Sequence, residues 1–369
     1  MFRRFSRRII VVVVIAVVVG LTVVGSRLYE RPRTLSASEV PIVFWHWRTP
    51  APEARDVMNA VAKAKMRTLF IRAGQFYTRE SGIERIQPMS GSYPSASVEL
   101  HLVYNATPKL LREFEQVDSP VAADSVASAY REDLARANKD RANVLGLQLD
   151  FDIPTRLLPK YADLLKALRT ALPPDTKLSI TGLPSWVASN DLPTVLAAVD
   201  FWIPQFYGSE IPATVDRKIP ISSAADVARY VARVRQLGRP FYAGISAYGY
   251  AILYGKDGSL IEVRGNIDPH WAEHDSDLQL VERATFQNSD EGRLVYRVRG
   301  EHVFRGLTVR SGETLVFDMP NVNSLKAAAR AVRENAGEQL LGICVFRLPS
   351  GFDRTNLSID EVTAALTSE

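Results

Sequence analysis

Residues 144–171 read VLGLQLDFDIPTRLLPKYADLLKALRTA, an apolar run followed directly by an amphipathic one. Residues 144–151 have the length and apolar character of a buried strand, while residues 155–171 repeat apolar side chains at helical spacing. Pro173 and Pro174 then end the helix, because proline cannot continue it. This stretch predicts one strand–helix unit of an α/β protein.

The same alternation recurs along the chain and predicts eight strands separated by helices. The predicted strands are 42–47, 68–73, 99–104, 144–151, 177–181, 201–206, 241–245 and 342–347. The predicted helices are 52–65, 123–140, 155–171, 192–199, 224–237, 324–334 and 359–366. We therefore expect residues 41–369 to form a (β/α)8 TIM barrel. The competing fold is a doubly wound open sheet, but the chain has neither GxGxxG nor GxxxxGK[ST] after the first strand, which counts against its nucleotide-binding forms.

Two segments interrupt this repeat. Residues 78–97 are punctuated by Gly, Pro and Ser and predict a hairpin or a long loop after the second strand. Residues 255–320 alternate short β-like runs with turn residues, which predicts a β-rich insertion after strand seven. Such an insertion could form one wall of a cleft.

The N-terminus has the pattern of a membrane anchor. Residues 9–24 carry no charge, and four arginines precede them. Since positive charge stays on the cytoplasmic side, residues 1–25 predict a basic flank and a transmembrane helix, with residues 9–25 in the membrane. Residues 26–40 would be a linker to a domain facing the periplasm or the cell exterior, in a single-pass protein of the inner (cytoplasmic) membrane. The alternative is a cleaved signal peptide, although no A-x-A site follows the apolar run.

Composition narrows the functional classes. The chain is 46% hydrophobic and 23% charged, as expected for a filled globular core. Its formal net charge of +4 is matched by the four arginines of the basic flank alone, so the exported domain is nearly neutral. We therefore expect no nucleic-acid partner. Cys344 is the single cysteine and lies in an apolar run, which predicts a buried thiol rather than a nucleophile or metal ligand.

We expect neither a cofactor nor a metal. The best metal candidate is a cluster of acids and histidines at residues 268–277, where His270 and His274 are four residues apart with Glu273 between them. The cluster lacks the H-E-x-x-H order, so a solvated acidic loop is the preferred interpretation.

The active site of such a barrel forms at the carboxyl ends of its strands. Asp150 and Asp152 stand two residues apart at the end of the fourth predicted strand, so their side chains should share one face. Two carboxylates placed together repel, and one can keep a proton near neutral pH, as a general acid must. The structural alternative is that one caps the helix beginning at Thr155 and the other pairs with Arg72 or Arg347.

The other strand ends carry aromatic and polar side chains. Aromatic faces stack on the CH faces of sugars, while carboxylate, amide and guanidinium groups bind sugar hydroxyls, so the mouth predicts a polysaccharide or glycan ligand. The predicted substrate-binding residues are Trp45, His46, Trp47, Arg72, Gln75, Tyr104, Trp186, Gln205, Tyr207, Tyr248 and Arg347.

Several stretches also resemble a known family. GLQLDFD at 146–152, KLSIT at 177–181 and FWIPQFYG at 201–208 resemble the fourth to sixth strands of the chitinase-type barrels of glycoside hydrolase family 18. GICVFR at 342–347 is similar to their closing strand. As a whole, the chain resembles a bacterial domain-of-unknown-function family, number 3142, whose members are inferred to be glycosidase-like. The resemblance implies a TIM barrel that acts on glycans.

One departure from the family pattern is important. The chitinase motif is D-x-x-D-x-D-x-E, and aligning Asp150 and Asp152 with its second and third acids puts Pro154 at the catalytic Glu and Leu147 at the first Asp. Two functions therefore stay open. The first is a glycoside hydrolase in which Asp150 or Asp152 has become the acid, with a partner carboxylate such as Glu210 or Asp353. The second is a barrel that binds glycans without cleaving them.

Overall fold

The computed structural model describes residues 32–368 except 80–81, 96, 209, 266, 286–291 and 352–356. The strands of this part are β1 Ile42–His46, β2 Thr68–Arg79, β3 Gly82–Ile86, β4 Glu99–Ala106, β5 Asn143–Asp150, β6 Lys177–Gly182, β7 Phe201–Pro204, β8 Phe241–Ser246, β9 Tyr250–Tyr254, β10 Leu260–Arg264, β11 Leu278–Thr285, β12 Gly292–Val298, β13 His302–Phe304, β14 Leu307–Val309, β15 Thr314–Met319 and β16 Leu340–Phe346. The α-helices are α1 Ala54–Ala64, α2 Pro108–Glu113, α3 Ser119–Lys139, α4 Leu158–Ala171, α5 Leu192–Leu196, α6 Ala224–Gln236, α7 His270–Glu273, α8 Val322–Asn335 and α9 Ile359–Thr367.

Eight parallel strands close into a barrel. β1, β2, β4, β5, β6, β7, β8 and β16 pair in that order, and β16 pairs back with β1, where Val43 lies opposite Cys344. The predicted (β/α)8 barrel is therefore confirmed. Strand β2 extends beyond its predicted end because it continues into an antiparallel hairpin with β3, and this hairpin starts at Gln75 and overlaps the segment predicted at 78–97.

The helices cover the outside of the barrel with their apolar faces. In α4 the buried residues recur at helical spacing, at Leu158, Tyr161, Leu165 and Leu168 among others. Burying a large apolar side chain contributes about 1.5–3 kcal/mol, so this face fixes the helix on the sheet. The α3 helix begins where the Asp118 side chain accepts a hydrogen bond from the backbone N–H of Val121.

Large side chains fill the lower part of the barrel interior. Phe70, Val103 and Phe201 pack there with Cys344 in one buried cluster. The His101 ring stacks on the Phe70 ring with their centroids 4.9 Å apart. The barrel is a packed core rather than a pore, which leaves its upper, carboxyl-terminal end for ligands.

A β-rich insertion lies between β8, the seventh barrel strand, and α8, as the sequence predicts. Strands β9, β10, β11, β12 and β15 form an antiparallel sheet in the order β10-β9-β15-β12-β11, and β13 and β14 form a hairpin. The insertion begins at β9, ahead of the predicted boundary at residue 255. Its sheet buries an ion pair in which Arg293 Nη1 lies 3.1 Å from Asp318 Oδ2. Arg293 Nη2 also donates a hydrogen bond to the Val215 carbonyl oxygen, which connects the insertion to the loop between β7 and α6.

The predicted membrane segment, residues 9–25, lies outside the described residues. Among the helices that the structure describes, none has the length and apolar character needed to cross a bilayer. The predicted linker needs a correction at its end. Ala37 and Val40 are buried, and the Leu35 amide donates to the Arg333 carbonyl oxygen, so these apolar residues pack on the barrel instead of forming a free stalk.

Candidate functional site

A pocket opens at the carboxyl end of the barrel strands, where the sequence places the active site. It brings together both candidate catalytic residues and four of the predicted substrate-binding residues. Its described lining consists of Trp45, Asp150, Asp152, Thr181, Ile203, Gln205, Tyr207, Gly244, Tyr248, Cys344 and Phe346.

Asp150 ends β5 at the base of this pocket. Thr181 Oγ1 donates a hydrogen bond of 2.6 Å to Asp150 Oδ1, and Asn105 Nδ2 donates to Asp150 Oδ2. Burial and the nearby charge of Asp152 raise the pKa of Asp150 to about 7, against the opposing effects of the Thr181 hydrogen bond and the Arg72 charge. Asp150 is therefore a carboxyl group that can exchange a proton near neutral pH.

Asp152 lies two residues further along the chain and lines the same pocket. Its side chain remains accessible to solvent, yet it sits in a concave surface where surrounding protein atoms raise its pKa by desolvation. Among the described residues, none forms a hydrogen bond or an ion pair with its carboxylate. The predicted alternatives, capping of the turn at Thr155 and pairing with Arg72 or Arg347, are absent from this part of the structure, where Pro154 precedes the turn.

Aromatic rings form one wall of the pocket. The Tyr207 ring stacks on Phe346 with centroids 6.0 Å apart and an interplanar angle of 11°. The Tyr248 ring meets Phe346 edge-on at 5.1 Å, and Trp45 lies 5.2 Å from it at a tilt. The Trp45 indole N–H donates to Gln148 Oε1 at 2.9 Å, which fixes its orientation. These rings offer flat apolar surface next to the two carboxyl groups.

Arg347 lies beside this wall without lining the pocket. Its guanidinium is held between two rings, 4.3 Å from the Trp47 centroid and 4.8 Å from the Tyr248 centroid. Its Nη2 donates a 2.7 Å hydrogen bond to the carbonyl oxygen of Gly265 in the insertion. Arg347 therefore packs between Trp47 and Tyr248 beside the pocket. The sequence predicts that Arg347 and Trp47 contact the substrate.

Two predicted substrate-binding residues lie in the core. The Trp186 side chain is fully buried, and its indole N–H donates to the Ile153 carbonyl oxygen at 2.9 Å. Tyr104 is also fully buried, and its hydroxyl donates to Asp133 Oδ2 at 2.9 Å. Neither ring has a face open to a sugar, which corrects the prediction for both.

Three further predicted residues lie near the mouth but outside the pocket. His46 is buried and its Nε2 lies 2.8 Å from the Pro50 carbonyl oxygen, while burial lowers its pKa to about 4. Arg72 donates to Gln87 Oε1 at 2.9 Å and to the Thr49 hydroxyl, and desolvation lowers its pKa. Gln75 Nε2 donates to the Ala106 carbonyl oxygen. Each has a local structural contact, and its contact with substrate stays a prediction.

Several residues of the site are not among the catalytic and substrate-binding residues predicted from the sequence. Asn105 and Thr181 hold Asp150 from the strands on either side of β5, and Phe346 carries the aromatic wall. Asn105 lies directly opposite Asp150 in the register of β4 and β5. Strand register was therefore the signal that could have identified it.

The remaining candidates are two acids and the 268–277 cluster. Glu210 is exposed and forms an ion pair with Arg217, and Asp353 lies outside the described residues. In the 268–277 cluster, His274 Nδ1 lies 3.0 Å from the His270 carbonyl oxygen, and Asp275 pairs with His302. Within the described part of the chain, no group of three or more His, Cys, Asp or Glu side chains is arranged to hold a metal ion.

Comparison with known proteins supports the resemblance seen in the sequence. Residues 112–283 match the family described as a domain of unknown function, DUF3142. The chain carries a DUF3142 domain. This match covers β5, β6 and β7 and therefore includes Asp150, Asp152 and Tyr207. No curated protein matches the chain in sequence.

Solved structures share the fold at low sequence identity. The C-terminal domain of a putative chitinase from Desulfitobacterium hafniense superposes with a TM-score of 0.59 at 12% identity, covering 89% of this chain and 98% of that one. The spore cortex-lytic enzyme SleL of Bacillus cereus gives 0.56 at 13% identity, covering 89% and 74%. A glycoside hydrolase family 18 N-acetylglucosaminidase from Paenibacillus barengoltzii gives 0.55 at 13%, covering 88% and 99%. The chain thus shares its barrel fold with these enzymes.

Proposed function

We propose that this protein is a glycoside hydrolase acting on a cell-envelope or exported polysaccharide. The observation that carries the proposal is the carboxyl pair of Asp150 and Asp152 in an aromatic-walled pocket at the barrel mouth. Raised pKa values let such a pair retain a proton near neutral pH, which acid catalysis of glycoside cleavage requires.

The contacts of the two carboxyl groups support a division of roles. Burial and the neighbouring Asp152 raise the pKa of Asp150 to about 7 despite the hydrogen bonds from Thr181 and Asn105, so Asp150 is the group that protonates the leaving glycosidic oxygen. Asp152 lines the same pocket, where it accepts no hydrogen bond from the described residues. As the glycosidic bond breaks, the negative charge of Asp152 stabilises the positive charge that develops on the sugar ring. Water then adds to the ring, and its released proton returns to the carboxyl pair.

A second function is a glycan-binding barrel without hydrolysis. The observation that favours it is Pro154, which stands where the chitinase motif has its catalytic Glu and is an exposed residue preceding the turn Thr155–Leu157. The aromatic wall and the carboxyl groups would then bind a sugar without transferring a proton.

Incubation of the full chain with a panel of polysaccharides separates these functions. We expect new reducing ends, and a loss of turnover of about 10²–10⁴-fold in Asp150→Asn and in Asp152→Asn. Asp163→Asn is the matched control, because Asp163 is exposed on α4 and contacts only Lys166 among the described residues. Binding without new reducing ends would favour the second function. Neither binding nor cleavage across the panel would contradict both.

We further propose that residues 9–25 anchor the protein in the cytoplasmic membrane, with the barrel outside the cytoplasm. The uncharged apolar run and its arginine flank support this orientation. The full chain should stay with the membrane pellet after alkaline carbonate extraction, whereas a chain lacking residues 1–25 should not. Release of the full chain would contradict the anchor.

A further inference from the structure

The pocket has an unbalanced charge. Of the described residues that line it, the charged ones are Asp150 and Asp152. Two nearby guanidinium groups have other partners, since Arg347 lies between two rings and Arg72 bonds to Thr49 and Gln87. The described lining therefore presents negative charge to a ligand, and the nearby Arg72 charge acts on Asp150 from outside the lining.

The two carboxyl groups differ in the number of hydrogen bonds that they accept from the protein. Asp150 receives hydrogen bonds from Thr181 and Asn105. Asp152 accepts no hydrogen bond from the described residues and lines the space that a ligand would occupy. A carboxylate in a partly desolvated pocket gains most from a cationic partner that also donates hydrogen bonds.

The aromatic wall fits the same kind of ligand. The electron-rich faces of tyrosine rings attract cations, and the site already shows this, because Tyr248 packs against the Arg347 guanidinium at 4.8 Å. Tyr207 and Phe346 stack on each other and line the same pocket as the carboxyl pair. A ligand with both a sugar ring and a positive charge would use the rings and Asp152 together.

We propose that the pocket binds a hexosamine whose amino group is unacetylated and protonated, with Asp152 as the ion-pair partner of that amine. This inference rests on the proposed function and names its substrate class. Uronic acids and phosphorylated sugars would be repelled by the carboxyl pair, and a neutral sugar would leave Asp152 without a cation. The ammonium group supplies the missing charge and several N–H donors.

Calorimetric titration with three ligands tests the inference: β-1,4 oligomers of glucosamine, N-acetylglucosamine and glucose, equal in length. We expect the full chain to bind the glucosamine oligomer about tenfold more tightly than either neutral oligomer, with the preference falling as salt is added. Asp152→Asn should remove the preference, and Asp163→Asn should keep it. Comparing the glucosamine and N-acetylglucosamine oligomers changes the ligand alone, so this arm stays informative even if Asp152→Asn fails to fold.

The outcomes separate this inference from the proposed function. Equal or tighter binding of a neutral oligomer, or a preference that survives in folded Asp152→Asn, would overturn the inference. Cleavage of a neutral polysaccharide without binding of the glucosamine oligomer would also overturn it, while the glycoside hydrolase assignment would stand. Failure to bind or cleave any polysaccharide would instead contradict the proposed function itself.

Discussion

The barrel mouth and the insertion both hold carboxylates in desolvated surroundings, but the partners of these carboxylates differ. In the insertion, both oxygens of Asp318 accept hydrogen bonds of 3.1 Å from Arg293 Nη1. At the mouth, Asp150 has uncharged donors and a second carboxyl group beside it, and Asp152 has no ion-pair partner among the described residues. The pKa of Asp318 is raised to about 6, whereas that of Asp150 is raised to about 7.

This difference separates a structural carboxylate from one available to a ligand. The Arg293–Asp318 pair, together with the bond from Arg293 to Val215, holds the insertion sheet to the neighbouring barrel loop. All of its groups are buried, so no ligand can compete for them. The carboxyl pair at the mouth is instead open to a ligand. Asp152 has no ion-pair partner among the described residues, so a bound ligand can supply the balancing charge.

The largest expected effect comes from breaking the insertion pair. Arg293→Ala leaves Asp318 buried without its guanidinium, and we expect a loss of about 3–5 kcal/mol in the free energy of unfolding, measured by urea titration. The double variant Arg293→Met with Asp318→Leu should recover most of that loss, because no buried charge remains. Arg283→Ala is the surface control, since Arg283 is exposed and pairs with Glu273 at 3.5 Å. Unchanged stability in Arg293→Ala would show that the pair has no structural role.

A smaller effect is expected from removing a mouth carboxyl group. The pKa of Asp150 is raised from 3.8 to about 7 in the folded chain, so the folded state holds a proton that the unfolded chain releases. The contribution of Asp150 to stability is therefore present below about pH 4 and is lost as the pH rises through about 7. Because Asn cannot ionise, Asp150→Asn should gain stability relative to the parent chain between pH 4 and pH 8, by at most about 4 kcal/mol for the full shift.

Thermal or urea unfolding at the two pH values measures this gain. Asp163→Asn controls for the loss of a surface carboxylate, and its difference from the parent chain should change little over the same range. A difference between Asp150→Asn and the parent chain that stays constant with pH would contradict the raised pKa of Asp150.

Most of the barrel could be predicted from the sequence, because buried parallel strands are continuous apolar runs. The eight barrel strands follow from this pattern, and the predicted helices follow from apolar residues at helical spacing. The errors occur where the pattern changes. β2 continues past Gly74 and Gln75, where the apolar run ends, because it is stabilised by pairing with β3. Strand β9 was not predicted as a separate strand, because only a short connection separates it from β8.

The site was less predictable, since it depends on which side of a strand each residue faces. Tyr104 and Asn105 are neighbours on β4, and adjacent side chains point to opposite faces. Asn105 therefore reaches Asp150 inside the mouth, whereas Tyr104 points outward to Asp133 of α3. Trp186 lies in a short 3-10 helix, Pro184–Ala188, where the sequence shows no periodicity that indicates its orientation, and its burial follows from packing against Tyr161. The orientation of these side chains depends on strand register and packing, which composition and residue spacing do not reveal.

The barrel mouth carries a carboxyl pair that we expect to retain a proton near neutral pH. Carbon-13 NMR titration of the aspartate carboxyl carbons tests it directly, with resonances assigned from Asp150→Asn and Asp152→Asn. We predict one mouth carboxyl group that titrates near pH 7 and whose signal is lost in Asp150→Asn. Thr181→Val should raise that pKa further, because it removes a hydrogen bond to the ionised form. If both mouth carboxyl groups instead lose their protons near pH 4, as free aspartate does, the account is contradicted.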